Sequence, residues 1–155
     1  MSDDDIPLVF DYSPRNGAGK LRRLHRGELS AFISEVSRRV NRGHAFSCLV
    51  TTDARLRRLN RQFRGKNSAT DVLSFPAETS NGFIGDLAIS LDRAAAQAVE
   101  HGHSLDQELR ILILHGALHL AGMDHETDSG EMARAEIRWR RKFGLPCGLI
   151  ERVSA

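Results

Sequence analysis

The sequence predicts a single domain built as a mixed, mostly parallel β-sheet of about four strands covered by helices. Three observations lead there. The chain has 155 residues, enough for one real core with little left for a second. Its segments alternate as strand, helix, strand, helix, two strands and then helices, the order of a sheet with helices packed over it. Hydrophobic residues make up 41% and charged residues 27%, a folded globular composition that is neither disordered nor fibrous.

Ile6 to Tyr12 reads as a first strand, with Pro7 confining it to a strand start or a sheet edge. Asn16 to Gly19 is a turn. Leu29, Phe32, Ile33, Val36 and Val40 recur at helical spacing, and Gly43 lies just past the end of that stripe. Ala45 to Val50 is a short apolar strand, closed by Thr51-Thr52-Asp53, any of which can cap a helix that buries Leu56, Leu59 and Phe63 and stops at Gly65. After a loop from Lys66 to Asp71, Val72 to Phe75 forms a strand with Pro76 as its terminator, and Phe83 to Ile89 forms another. Ser90 caps a helix that turns Leu91, Ala94, Ala95 and Ala98 inward and ends at Gly102. Ser104 and Gln107 make a capping box for the next helix, Leu105 to about Ala121, which Gly122 ends. The last helix starts near Asp128 and carries Met132, Ala135, Trp139 and Phe143.

The longest aliphatic run is Ile111 to Leu114, far short of the ~20 apolar residues of a membrane span. The N-terminus, Met1-Ser2-Asp3-Asp4-Asp5, is acidic where a secretory signal would be basic and then apolar, so a cytoplasmic protein is expected. Cys48 and Cys147 are the only cysteines. They exclude a disulfide framework and a zinc site built mainly on thiolates, so any metal must be held by nitrogen or oxygen.

A net charge of +2 hides a division along the chain. Lys20 to Lys66 holds thirteen Lys/Arg against three acidic residues, a net +10, whereas Asn67 to Glu131 holds two Arg against eleven Asp/Glu, a net −9. One basic surface is implied, and a basic surface suits a polyanion. Solvated helix faces would produce the same count, and nineteen of the twenty-two cations are Arg.

His115-Gly116-Ala117-Leu118-His119 and the following Gly122-Met123-Asp124-His125 carry the chemistry. Two His four residues apart on a helix project from one face, so their ring nitrogens can converge on one ion. Gly122 can adopt the left-handed backbone that ends the helix, after which a short turn returns His125 over the same face. Three neutral imidazoles suit one Zn²⁺ and leave a fourth position open to water, the arrangement of a catalytic site. Zinc lowers the pKa of such a water to roughly 7. The metal site therefore lies on a buried helix and the turn after it. The intervals from His115 of four, seven and ten residues match those of metzincin-type zinc peptidases, but the Glu that follows their first His is here Gly116, which has no side chain to accept a proton. The nearest carboxylate in sequence is Asp124. It could orient an imidazole, cap the turn, or take the proton of the water as a catalytic base. Arg64, at the end of a short helix before Gly65-Lys66, can bind phosphate in bidentate fashion, although the helix dipole alone would favour a cation there.

Leu59-Asn60, Arg64-Gly65-Lys66, Thr70 to Pro76, Gly85-Asp86 and His115 to His125 together resemble the YbeY endoribonucleases, in register from about Leu59 to His125. Asn67, Ala69 and Met123 depart from the residues common there. The resemblance implies an α+β fold, one zinc on His115, His119 and His125, and a catalytically important arginine at Arg64. It also implies a single-strand-specific endoribonuclease that processes the 3′ end of 16S rRNA and serves ribosome quality control. RNA, as rRNA in the ribosome or its small subunit, is then the partner, with ribosomal proteins or a GTPase as candidate protein partners and no membrane. Arg61 and Lys66 are the candidate RNA contacts beside Arg64. Two alternatives remain: a metal-dependent hydrolase of peptides or small molecules, and a non-catalytic ribosome-binding factor whose zinc is structural.

Overall fold

The computed structural model describes residues 7–12, 24–67 and 70–154. The expected turn at Asn16 to Gly19 and the start of the first strand at Ile6 lie outside them. Strands β1 (Leu8–Phe10), β2 (Ala45–Thr51), β3 (Val72–Ser80) and β4 (Phe83–Ser90) form one sheet in the order β1-β2-β4-β3. The β1-β2 and β2-β4 pairs are parallel and β3-β4 is antiparallel, giving the mixed, mostly parallel sheet of an α+β domain. Among the described residues the helices are α1 (Arg26–Arg39), α2 (Asp53–Arg64), α3 (Leu91–His101), α4 (Leu105–Leu120), α5 (Glu131–Lys142) and α6 (Leu149–Ser154). None is long and apolar enough to cross a membrane.

The alternation of β4 divides the core. Leu87 and Ile89 join the main cluster with α1 and α4, while Ala88 packs with Leu73 and with Leu56 of α2 on the opposite face. Helix α4 is the centre of the main cluster and is buried on nearly every side, with Leu109, Ile111, Leu112, Ile113 and Leu114 at most 1% exposed. Each such side chain contributes roughly 2 kcal/mol by leaving water, and Leu112→Ala would cost about 2–5 kcal/mol through the cavity it leaves. Two glycines let α4 settle on the sheet. A Cβ on Gly116 would lie 2.7 Å from Leu87 Cδ2, and one on Gly85 would lie 2.5 Å from Phe75 O and 2.8 Å from Leu120 Cδ2.

The helix starts follow the expected chemistry. Thr52 accepts from Arg55 N, Ser90 from Arg93 N, and Ser104 with Gln107 forms the reciprocal capping box. Four expectations need correction. Pro76 does not end its strand, because β3 is an edge strand, where a residue without an N–H can be accommodated. Phe63 is 62% exposed, because it sits in the last turn of α2, beside the edge strand β3, where its aromatic partner among the described residues is Phe75, edge-on at 5.5 Å. Ala95 is only partly buried, between the inward Ala94 and Ala98. The last long helix begins at Glu131, three residues later than expected, since Asp128 caps it from outside by accepting from Gly130 N and Met132 N. Helix α6 was not anticipated from the sequence. It is fastened to α4 by Arg152, which donates two hydrogen bonds of 2.9 Å to the fully buried Glu108.

Candidate metal centre

The rigid helix α4 brings His115 and His119 together at its C-terminal end, with ring centroids 4.8 Å apart. The helix closes with Ala121 N donating to Ala117 O and Met123 N to Leu118 O, and Gly122 takes φ +93, a left-handed backbone cheap only for glycine. The chain reverses there. Asp124 Oδ1 accepts from Glu126 N at 3.0 Å, which braces the turn, and His125 returns with its ring 5.2 Å from His115 and 5.3 Å from His119. One nitrogen from each of the three lies within 4.8 Å of the others.

The hydrogen bonds select which nitrogens face inward. His115 Nδ1 donates to Glu136 Oε2 at 2.8 Å, and His119 Nδ1 donates to Met123 O at 2.9 Å. A carboxylate and a carbonyl only accept, so both protons sit on Nδ1 and the Nε2 lone pairs are left for a ligand. The two Nε2 atoms are 3.1 Å apart, close to the ~3.3 Å that two tetrahedral bonds of 2.0–2.1 Å to one zinc would span. Burial, with His115 beside it, pushes His119 below the ordinary histidine range and favours the neutral, ligating form. His125 Nδ1 is buried without a hydrogen-bond partner among the described residues. These residues therefore fit a metal ion: three nitrogens converge, two of them by enforced tautomer, and a buried polar atom stands unmatched.

Glu136 was missed in the sequence. It is 1% exposed, and its second oxygen accepts from Ile150 N at 2.7 Å. Its signal was its position: one turn beyond Met132 and beside Ala135, on the apolar stripe of α5, where a carboxylate needs partners to be tolerated.

The imidazoles form one wall of a cleft of about 780 Å³. Arg64 lines it from the end of α2, with Asp71, Ser74, Asp124, Glu126 and Ile150 among the remaining lining residues. Arg64 is placed by the end of its helix, where Gly65 N donates to Arg61 O and Lys66 N to Asn60 O around a left-handed Gly65. It is exposed and makes no ion pair among the described residues. Arg61 and Lys66 are also exposed but do not line this cleft. Asp124 lines it, exposed, with one oxygen committed to the turn. Gly116 points at Leu87, so the position that would hold a peptidase glutamate is turned to the sheet. Both cysteines are free thiols, and burial pushes Cys48 up to about 12, leaving it inert.

Comparison with known proteins follows the same lines. A family model described as Endoribonuclease YbeY matches residues 19–144. A Solibacter usitatus protein named Endoribonuclease YbeY is 53% identical over 147 residues, covering 92% of this chain and 99% of that protein. One of the same name from Koribacter versatilis is 52% identical over 135 residues, covering 87% and 88%. A solution structure of a Thermotoga maritima protein superposes with a TM-score of 0.54 at 24% identity, covering 90% of this chain and 93% of that one, a likeness of fold.

Proposed function

The chain belongs to the YbeY endoribonuclease family, and on that premise we propose that it is a zinc-dependent, single-strand-specific endoribonuclease of the cytoplasm, acting in 16S rRNA 3′-end maturation and ribosome quality control. The observation that carries the reading is the convergence of Arg64 with His115, His119 and His125 on one cleft. In this reading the three imidazoles hold a single zinc. When bound, that ion supplies Lewis acidity toward a phosphate oxygen and lowers the pKa of a water to roughly 7. The protein's own groups do the rest. Glu136 fixes the ring of His115 and the carbonyl of Met123 fixes that of His119, so neither ligand must be ordered when substrate arrives. Arg64 grips two oxygens of the scissile phosphate as a fork and offsets charge as it develops there. Asp124 keeps the turn that presents His125. Asp71, Asp124 and Glu126 make the cleft acidic on balance against Arg64, so a phosphate gains from the metal's charge. Arg61 and Lys66 extend the cationic track away from the cleft along the strand.

The test uses the purified full chain, its zinc content, and an RNA hairpin with a single-stranded 3′ extension. One zinc per chain and cuts confined to the extension are expected, lost on chelation and regained with Zn²⁺. Cutting undiminished after the metal is stripped would overturn the reading. A cyclic phosphate at the product end marks the RNA 2′-hydroxyl as nucleophile, and a 3′-hydroxyl marks water.

A further inference from the structure

A second cleft, of about 540 Å³, lies on the far side of the α4 terminus and shares Met123 with the first. Its polar lining is Arg39, Asn41, Arg42, His44 and Arg138, with Trp139 beside them, and no carboxylate among the described residues lines it. Among the described residues, the first cleft holds three carboxylates against one guanidinium, and this one holds three guanidiniums against none. We propose that it binds the phosphates of the RNA strand flanking the cut, so that the chain is gripped on both sides of Met123. The proposal rests on the ribonuclease reading and deepens it.

Three observations support it. Arg42 and Arg138 are exposed and make no ion pair among the described residues, whereas Arg39 is drawn to Glu35 at 3.4 Å and lies over the rings of Trp139 and Phe143. Two unpaired guanidiniums in a concave site lined by three arginines suit a polyanion whose charge repeats at every link. Arg42 also takes φ +57, a backbone that L-residues rarely adopt and that Gly would adopt more cheaply. Asn41, 2% exposed, donates to Ala117 O and so ties the cleft floor to the helix of the metal centre.

The experiment compares the full-length wild type with the double variant Arg42→Gly/Arg138→Ala, and uses a labelled single-stranded oligoribonucleotide. Both side chains are exposed and the glycine suits the local backbone, so the thermal midpoint and zinc content should hold. Binding should weaken about tenfold at low salt. The slope of log K against log salt should fall by about 1.4, at ~0.7 for each single-strand phosphate that is no longer neutralised. KM should rise while kcat stays, and Arg42→Lys/Arg138→Lys should recover most of the binding because its charge is intact. Wild-type binding, salt slope and KM in the double variant would overturn the proposal while leaving the ribonuclease reading in place. A wild type that neither binds nor cuts RNA would overturn both.

Discussion

Helices α2 and α4 both end at the metal cleft, yet they are made in opposite ways. Helix α4 is buried on almost every side, and its two imidazoles are held by the surrounding packing and by acceptors on their outer nitrogens. Helix α2 buries little beyond Leu56 and Asn60 and turns Arg57, Arg58, Arg61 and Arg64 to water. A metal centre depends on ligand positions fixed to within tenths of an ångström, which a packed helix supplies. A cation that must follow a moving phosphate is better carried on a long side chain at an exposed helix end. Removing a residue from α4 should therefore damage the site itself, whereas removing one from α2 should spare the metal and damage only the chemistry.

The sharpest test of that division is His119→Ala, which should abolish stoichiometric zinc and lower RNA cleavage by at least about 10³-fold, read by metal analysis and initial rates. Arg64→Ala should retain full zinc and lose roughly 10²- to 10³-fold in kcat, as for one donor removed from a developing anion. A variant that also loses zinc would break the contrast between the helices. Glu136→Gln should weaken zinc about 10- to 100-fold in a chelator competition, since one amide cannot accept from both His115 Nδ1 and Ile150 N through a single oxygen. Gly116→Ala should lower stability by about 1–3 kcal/mol in thermal or urea unfolding, because the new methyl must displace Leu87. The smallest effect is expected for Asp124→Asn. Its amide oxygen can still accept from Glu126 N, so kcat should stay within a few-fold of wild type. A fall of 10²-fold or more with zinc retained would make Asp124 the proton acceptor instead.

The same contrast decides what could be read from the residues. The imidazole pair was legible because four residues make one helical turn, and His125 because a glycine marks where the helix must reverse. The mixed, mostly parallel sheet followed from the alternation of elements, and three of the helix starts from their capping residues. What escaped depended on long-range packing. Glu136 lies twenty-one residues from His115, and no spacing rule links positions on two different helices. Phe63 sits on the inward stripe of α2, yet whether a stripe is covered depends on how far the sheet extends beneath it. The position of Arg64 beside the triad depends on the crossing of two elements over a sheet, so its motif suggested a phosphate contact without showing what it would face.

Because the two oxygens of Glu136 are divided between a metal-ligand ring and the amide of Ile150, the C-terminal helix and the ion are thermodynamically linked. Whatever zinc gains from a well-docked α6, α6 gains in docking free energy from zinc, by reciprocity. The Arg152 to Glu108 bridge adds to the docking side of that balance. Truncation after residue 148, far along the chain from any histidine of the triad, should then release metal more readily. Protection of the α6 amides from hydrogen exchange should in turn report how much of the metal centre is loaded.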